Sequence, residues 1–185
     1  MTSLFICGMP AAGKSRSAKA IADHLGCHFL DLDAEIEYTH GPIPGLFEKG
    51  EAHFRQIEAD TLQKICAGRK EPFVLALGGG TLERSENLNL ILQSGILIYL
   101  DLELAEIDQR LSVNQESEKR PLLAPKEGNQ RVKFLREMCI RRSVQFKQSH
   151  IITTLEPIPD MELFTKRIEL FTKRSPFLPF QGQFD

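Results

Sequence analysis

The chain has no apolar run approaching the about 18 residues that a membrane-spanning helix needs, so no span is expected. It also lacks a basic excess. Its 23 Lys and Arg against 25 Asp and Glu leave a formal net charge of −2, which argues against general nucleic-acid binding. C-x-x-C spacing is absent, and Cys7, Cys27, Cys66 and Cys139 read as small buried apolar residues of a reducing cytoplasm rather than as disulfides. The histidines and cysteines show no metal-ligand spacing. His24 and His28 are four apart, but Gly26 between them is expected to end a helix and separate them. No internal repeat is visible. The first apolar run starts at Ser3, leaving no room for a signal peptide. A chain of 185 residues then suits one domain that buries roughly 70% of its unfolded surface.

What is present begins with "GMPAAGKS", residues 8–15. Gly8, four residues, then Gly13-Lys14-Ser15 is the spacing of a phosphate-binding loop. Its backbone N–H groups form a concave anion nest, Lys14 adds a mobile positive charge, and Ser15 offers a hydroxyl to magnesium. The context fits. "SLFIC" before the loop reads as a buried strand, and Ala18, Ile21, Ala22 and Leu25 after it recur at helical spacing, with Gly26 as the stop. The helix dipole then points its positive end at the phosphates.

Further short apolar runs are "HFLDLD" (28–33), "FVLALGGG" (73–80), "GILIYLD" (95–101) and "HIITT" (150–154). Helical-period segments separate them, which predicts βαβ units and a parallel sheet covered on both faces. Ligands bind such sheets beyond the carboxyl ends of the strands. That rule collects Gly8 to Ser15, Asp31, Asp33 and Gly78 to Gly80 at one rim.

Several side chains then become candidates. Asp31 and Asp33, read as two positions along one strand, would face the same cleft; Asp101 ends a better apolar run but is also placed to cap the next helix. Arg55 and Glu58 are three apart on a predicted helix, either as a plain ion pair or as an arginine held rigid for a carboxylate. In "VKFLREMCIRRSVQF" the apolar stripe Val132, Leu135, Cys139, Phe146 has Arg142 at its missing position, while Arg136 and Arg141 fall off it and read as solvated. A buried arginine requires an anion, structural or substrate. Three glycines in a row, Gly78 to Gly80, permit a ligand to approach the backbone closely. Residues 112–131 are polar with two prolines, either a surface loop or a mobile lid bearing Arg120. The tail "SPFLPFQGQFD" reads as an irregular extension without assigned function.

In order and nearly in spacing, "GMPAAGKS", "FLDLDAEIE", "IPGLFEKGEAHFR", "LALGGGT", "KRPLL" and "RRSVQF" resemble the shikimate kinases from residue 3 to about 170. The resemblance implies a nucleoside-monophosphate-kinase-like, three-layer α/β/α fold with a five-stranded parallel sheet and a mobile lid. It implies one kinase domain over residues 1–174, with the lid at about 112–131 and a substrate-binding region at about 33–60, then an extension over 175–185. It implies transfer of the ATP γ-phosphate to the 3-hydroxyl of shikimate, on the route to chorismate and aromatic amino acids. The expected setting is a cytoplasmic monomer that binds these small molecules, with no nucleic-acid or membrane partner.

Carried over by residue, the resemblance implies ATP binding by Gly8, Met9, Pro10, Ala11, Ala12, Gly13, Lys14 and Ser15, with Arg110 near adenine and Arg120 reaching from the lid. It implies Mg2+ at Ser15 and, through water, at Asp31. Asp33 would orient the acceptor hydroxyls, Arg55 and Arg142 would grip the carboxylate, and the Gly78, Gly79 and Gly80 backbone would complete the clamp. Lys14, Asp33 and Arg120 are the implied catalytic groups. The chain departs from the family at Ala11, usually Gly, which predicts an altered backbone angle and weaker nucleotide affinity. It departs also at Arg16, usually Thr, at Phe146, commonly Tyr, and around "FEKGEAHFR", one residue shorter than usual. Rival readings are a gluconate or adenylate kinase of the same fold, and a nucleotide-dependent switch, whose guanine signal N-K-x-D is missing.

Overall fold

Each of the five apolar runs forms a strand: β1 (Ser3–Gly8), β2 (His28–Asp31), β3 (Phe73–Ala76), β4 (Gly95–Leu100) and β5 (Ile151–Thr153). The computed structural model describes residues 2–113, 128–154, 158, 160–174 and 183–184. Every pairing is parallel, and the strands lie in the order β2-β3-β1-β4-β5. Phe5 and Ile6, Val74 and Leu75, and Leu97 and Ile98 are wholly buried on the three inner strands. Such unbroken apolar runs suit strands covered by helices on both faces, and the expected α/β/α layering is present. The carboxyl ends of β1, β2 and β3 therefore open onto a common rim.

A sixth strand was not expected. Gln183–Phe184 (β6) pairs parallel with β5, matching Ile152 with Gln183 and Thr153 with Phe184. The tail is therefore not wholly irregular. Two paired residues give no periodicity to read in a sequence.

Helix α1 (Lys14–Leu25) buries Ala18, Ile21 and Ala22, and Gly26 ends it with φ 63°, so His24 and His28 fall in different elements. Between β2 and β3 lie α2 (Leu32–His40), α3 (Ile43–Glu48) and α4 (Glu51–Gly68). Then follow α5 (Ser85–Ser94), α6 (Leu104–Val113), α7 (Gly128–Phe146) and α8 (Met161–Arg174). No helix among the described residues is long and apolar enough to cross a membrane. All four cysteines are free thiols, yet only Cys7 is fully buried. Its thiol is pushed up to about 12 by desolvation, against a hydrogen bond with Ser149.

The ends of the expected 112–131 loop are helical. Residues 112 and 113 close α6, and residues 128–131 open α7. Arg131 Nε lies 2.7 Å from Asp108 Oδ1, joining the two helices. Residues 114–127, Arg120 among them, lie outside the described residues. On α7 the buried row is Leu135, Met138, Arg142 and Phe146, so Met138 takes the place assigned to Cys139, which is half-buried. Phe146 stacks on Tyr99 of β4 with ring centroids 4.7 Å apart, which docks this helix on the sheet.

His150 exchanges two hydrogen bonds with Leu97 at the start of β5. Its N–H donates to the Leu97 carbonyl at 2.9 Å, and its Nδ1 accepts from the Leu97 N–H at 3.0 Å. Burial lowers its pKa from the ordinary 6.5, because the protonated ring is poorly solvated there. The unfolded chain then binds the proton first as pH falls through 6.5, so this contribution to stability is present above that value and is lost below it. His150→Asn keeps an acceptor for Leu97 without a titrating ring. Urea midpoints measured at pH 7.5 and 5.5 should fall further for the wild type than for His150→Asn. Equal losses would contradict a neutral His150 in the fold.

Candidate functional site

The phosphate loop leaves β1 at Gly8 and enters α1 at Lys14, as its spacing requires. Gly13 caps the helix with φ 86°, an angle that side chains resist. Lys14 is buried and arches back over the loop, donating to the Met9 carbonyl at 3.0 Å. Ala11 is the one non-glycine with positive φ among the described residues, at 59°. The departure at this position thus places an alanine at a left-handed angle, with strain of about 1 kcal/mol. Arg110 Nη1 donates to the Ala11 carbonyl at 3.3 Å, and Glu106 holds its other end at 2.5 Å. The arginine expected near the base therefore also braces the loop.

Asp31 differs from the sequence reading in one respect. The strand ends there, and Asp33 already lies in the first turn of α2, so the two do not share a strand face. Asp31 caps that helix instead: its Oδ1 accepts from the Asp33 N–H at 3.0 Å and the Ala34 N–H at 3.3 Å. The cap fixes the carboxylate, and its free Oδ2 accepts a hydrogen bond from the Ser15 hydroxyl. A carboxylate and a hydroxyl in contact beside a phosphate loop form an oxygen-only donor set, which fits Mg2+. Asp101 lies three residues before α6 and accepts from the Tyr99 hydroxyl at 2.7 Å.

The glycine triplet brings the acceptor residues together. A Cβ on Gly78 would lie 3.0 Å from Asp33 Oδ1 and 2.7 Å from Glu58 Oε1. One on Gly79 would lie 3.3 Å from Arg142 Nη1 and 3.7 Å from Pro10 of the phosphate loop. One on Gly80 would meet the Arg55 guanidinium, at 2.8 Å from Cζ. Any other residue at Gly80 would displace that arginine.

Each arginine has a carboxylate partner. Arg55 Nη1 lies 2.9 Å from Glu58 Oε2, and the Glu58 Oε1 accepts from the Thr81 hydroxyl at 2.7 Å. Glu58 is 1% exposed, so the pair is an internal fixture rather than a surface contact. Burial opposes the Arg55 charge, but Glu58, Glu51 and Glu83 outweigh it and hold its pKa above the ordinary value. Arg142, 3% exposed, donates from Nε to Glu83 Oε1 at 2.7 Å. Its pKa is lowered, chiefly by burial, with Arg55 and Arg141 acting in the same direction. Glu83 and Thr81 were absent from the sequence reading. Arg141, read as solvated, lies 3.2 Å from Glu83 Oε2.

A nucleotide loop and an arginine-lined wall at one rim of a parallel sheet make a P-loop kinase acting on a small acceptor. The comparisons narrow that class. The shikimate kinase family model matches residues 10–171. Shikimate kinase of Chlorobium luteolum is 35% identical, with 97% of this chain and 92% of that protein covered. That of Chlorobaculum tepidum is 37% identical, over 88% of this chain and 81% of that protein. Among solved structures, shikimate kinase from Bacteroides thetaiotaomicron superimposes with a TM-score of 0.80 at 28% identity, covering 93% of this chain and 98% of that one. Shikimate kinase from Acinetobacter baumannii, solved in complex with shikimate, gives 0.78 at 29% identity, covering 95% and 96%. This chain belongs to the shikimate kinase family.

The strained alanine gives a direct test. Ala11→Gly removes a penalty of about 1 kcal/mol that exceeds the entropy glycine adds to the unfolded chain. With glycine's roughly 0.4–1 kcal/mol of unfolded-chain entropy set against it, the net gain is a few tenths of a kcal/mol and thermal unfolding should shift upward by roughly 1 °C. A lower midpoint would contradict a strained φ at this position.

Proposed function

We propose that this protein transfers the ATP γ-phosphate to the 3-hydroxyl of shikimate, giving shikimate 3-phosphate and ADP on the route to chorismate and aromatic amino acids. The observation that carries the reading is the convergence of Asp33, Arg55 and Arg142 on the glycine triplet, beside Pro10 of the phosphate loop. In its roles, Gly8 to Ser15 cradle the phosphates with backbone N–H groups, and Lys14 swings from the Met9 carbonyl to offset charge on the transferring group. Arg110 supports the nucleotide end, and Arg120 is the cation from the 112–131 region. Ser15 and Asp31 would hold Mg2+, which supplies charge neutralisation at the phosphates when bound.

On the acceptor side, Arg55 and Arg142 present N–H groups to one carboxylate, and the open backbone of Gly78 to Gly80 lets the ring sit close. Asp33 accepts a hydrogen bond from the reacting hydroxyl and aims it at the phosphate. Most of the rate then comes from positioning and charge rather than covalent chemistry. The working unit is a single kinase domain over residues 1–174, acting as a cytoplasmic monomer, with 33–60 on the acceptor side.

Two measurements test the reading. A coupled assay of ADP release with shikimate, gluconate and AMP side by side should give turnover with shikimate alone. Arg55→Ala and Arg142→Ala should each weaken shikimate use by about 2–5 kcal/mol while the KM for ATP stays near normal. Asp33→Asn should retain part of the shikimate affinity and lose turnover. Turnover with gluconate or AMP, or arginine variants that use shikimate normally, would refute the assignment.

A further inference from the structure

Glu83 is divided between two arginines. It ends the single helical turn Thr81–Glu83 that follows the glycine triplet. Its Oε1 accepts from Arg142 Nε at 2.7 Å, and its Oε2 lies 3.2 Å from Arg141 Nε. Arg142 is buried, whereas the Arg141 side chain is 58% exposed. Arg142 thus meets Glu83 through Nε, while its Nη1 faces Gly79.

A guanidinium and a carboxylate left to themselves favour a two-point contact, with parallel N–H···O bonds to both oxygens. Here the second oxygen is engaged elsewhere. Were Arg141 absent, Glu83 could turn its second oxygen onto Arg142 Nη2, the nitrogen on the Nε edge, and draw the guanidinium away from Gly79, where Nη1 now lies. Burial lowers the pKa of Arg142, with Glu83 acting against it, so a buried charge with one anionic contact gains from a second.

We infer that Arg141 is a positioning residue for acceptor binding: by holding the second oxygen of Glu83 it keeps that carboxylate to one-point contact with Arg142, and so keeps Nη1, which rests on Met138 Sδ at 2.8 Å, turned to Gly79 for the substrate carboxylate. This rests on the reading that Arg142 meets the shikimate carboxylate. Glu83 is then both the brace that orients Arg142 and its potential competitor, and the exposed arginine decides which. A merely superficial role for Arg141 predicts no kinetic effect, since the residue is exposed.

Steady-state kinetics on the full chain separate the two. Arg141→Gln should raise the KM for shikimate roughly three- to tenfold, the scale of one net hydrogen bond, with kcat and the KM for ATP within about twofold of wild type. Arg141→Lys, which can still hold one carboxylate oxygen, should restore the wild-type KM. Glu83→Gln removes the competing charge but keeps an acceptor for Arg142 Nε, so adding Arg141→Gln to it should cost nothing further. An unchanged KM in Arg141→Gln, or an equal penalty with and without Glu83→Gln, would overturn the inference. Arg142→Ala serves as the control. If it leaves shikimate use intact, the clamp reading fails and this inference with it; if it abolishes use while Arg141→Gln is silent, only this inference fails.

Discussion

One buried guanidinium, of Arg142, and one half-buried, of Arg55, against three glycines impose the constraint on which this site depends. A guanidinium cannot be desolvated without anionic partners, and unpaired burial would cost several kcal/mol. Glu58 and Glu83 supply those partners from inside the protein. The helix α4, the turn after the triplet and the helix α7 are thereby tied to one another through charge as well as packing. The triplet itself is what allows the approach, because a Cβ on Gly78, Gly79 or Gly80 would crowd Glu58, Arg142 or Arg55 respectively. The arginines are thus held by internal partners before any ligand arrives, and preorganisation of this kind lowers the entropic cost of binding an anion.

The parallel sheet makes the convergence possible. Ile6 pairs with Ala76, and Leu30 with Leu75, so the strands β1, β2 and β3 end at nearly one level. Their next residues are the phosphate loop, the Asp31 cap and the glycine triplet. Pro10 beside Gly79, and Ser15 against Asp31, are the contacts that join nucleotide side to acceptor side. Among the described residues the one non-glycine at a left-handed angle lies in the loop, at Ala11, where Arg110 grips its carbonyl.

Much of this was legible in the sequence, and the exceptions share a cause. The five strands announced themselves as apolar runs, the loop by its glycine spacing, and Arg142 by interrupting an apolar stripe. The bond between Arg55 and Glu58 followed from helical spacing. Glu83 did not, because its partner lies 59 positions away and nothing local distinguishes it from an ordinary surface carboxylate. Arg141 is exposed as periodicity indicates, but periodicity reports a helix face and says nothing of a neighbour on another element, so its bond to Glu83 was not visible. Asp33 was read as sharing the strand of Asp31 because "FLDLD" alternates, yet the strand ends at Asp31, whose carboxylate captures two backbone N–H groups and starts the helix that holds Asp33. Local pattern fixes elements; long-range pairing of charges does not leave a pattern.

In the proposed function, Arg55 and Arg142 together grip one acceptor carboxylate. Comparing kcat/KM for shikimate and for its methyl ester, with the unmodified enzyme, tests it without disturbing the fold. The ester keeps every hydroxyl and removes only the charge. The account predicts a loss of roughly a hundredfold or more, matching about 3 kcal/mol for a desolvated ion pair. Equal use of ester and acid would contradict it, and would make Arg142 and Glu83 an internal ion pair without a substrate role.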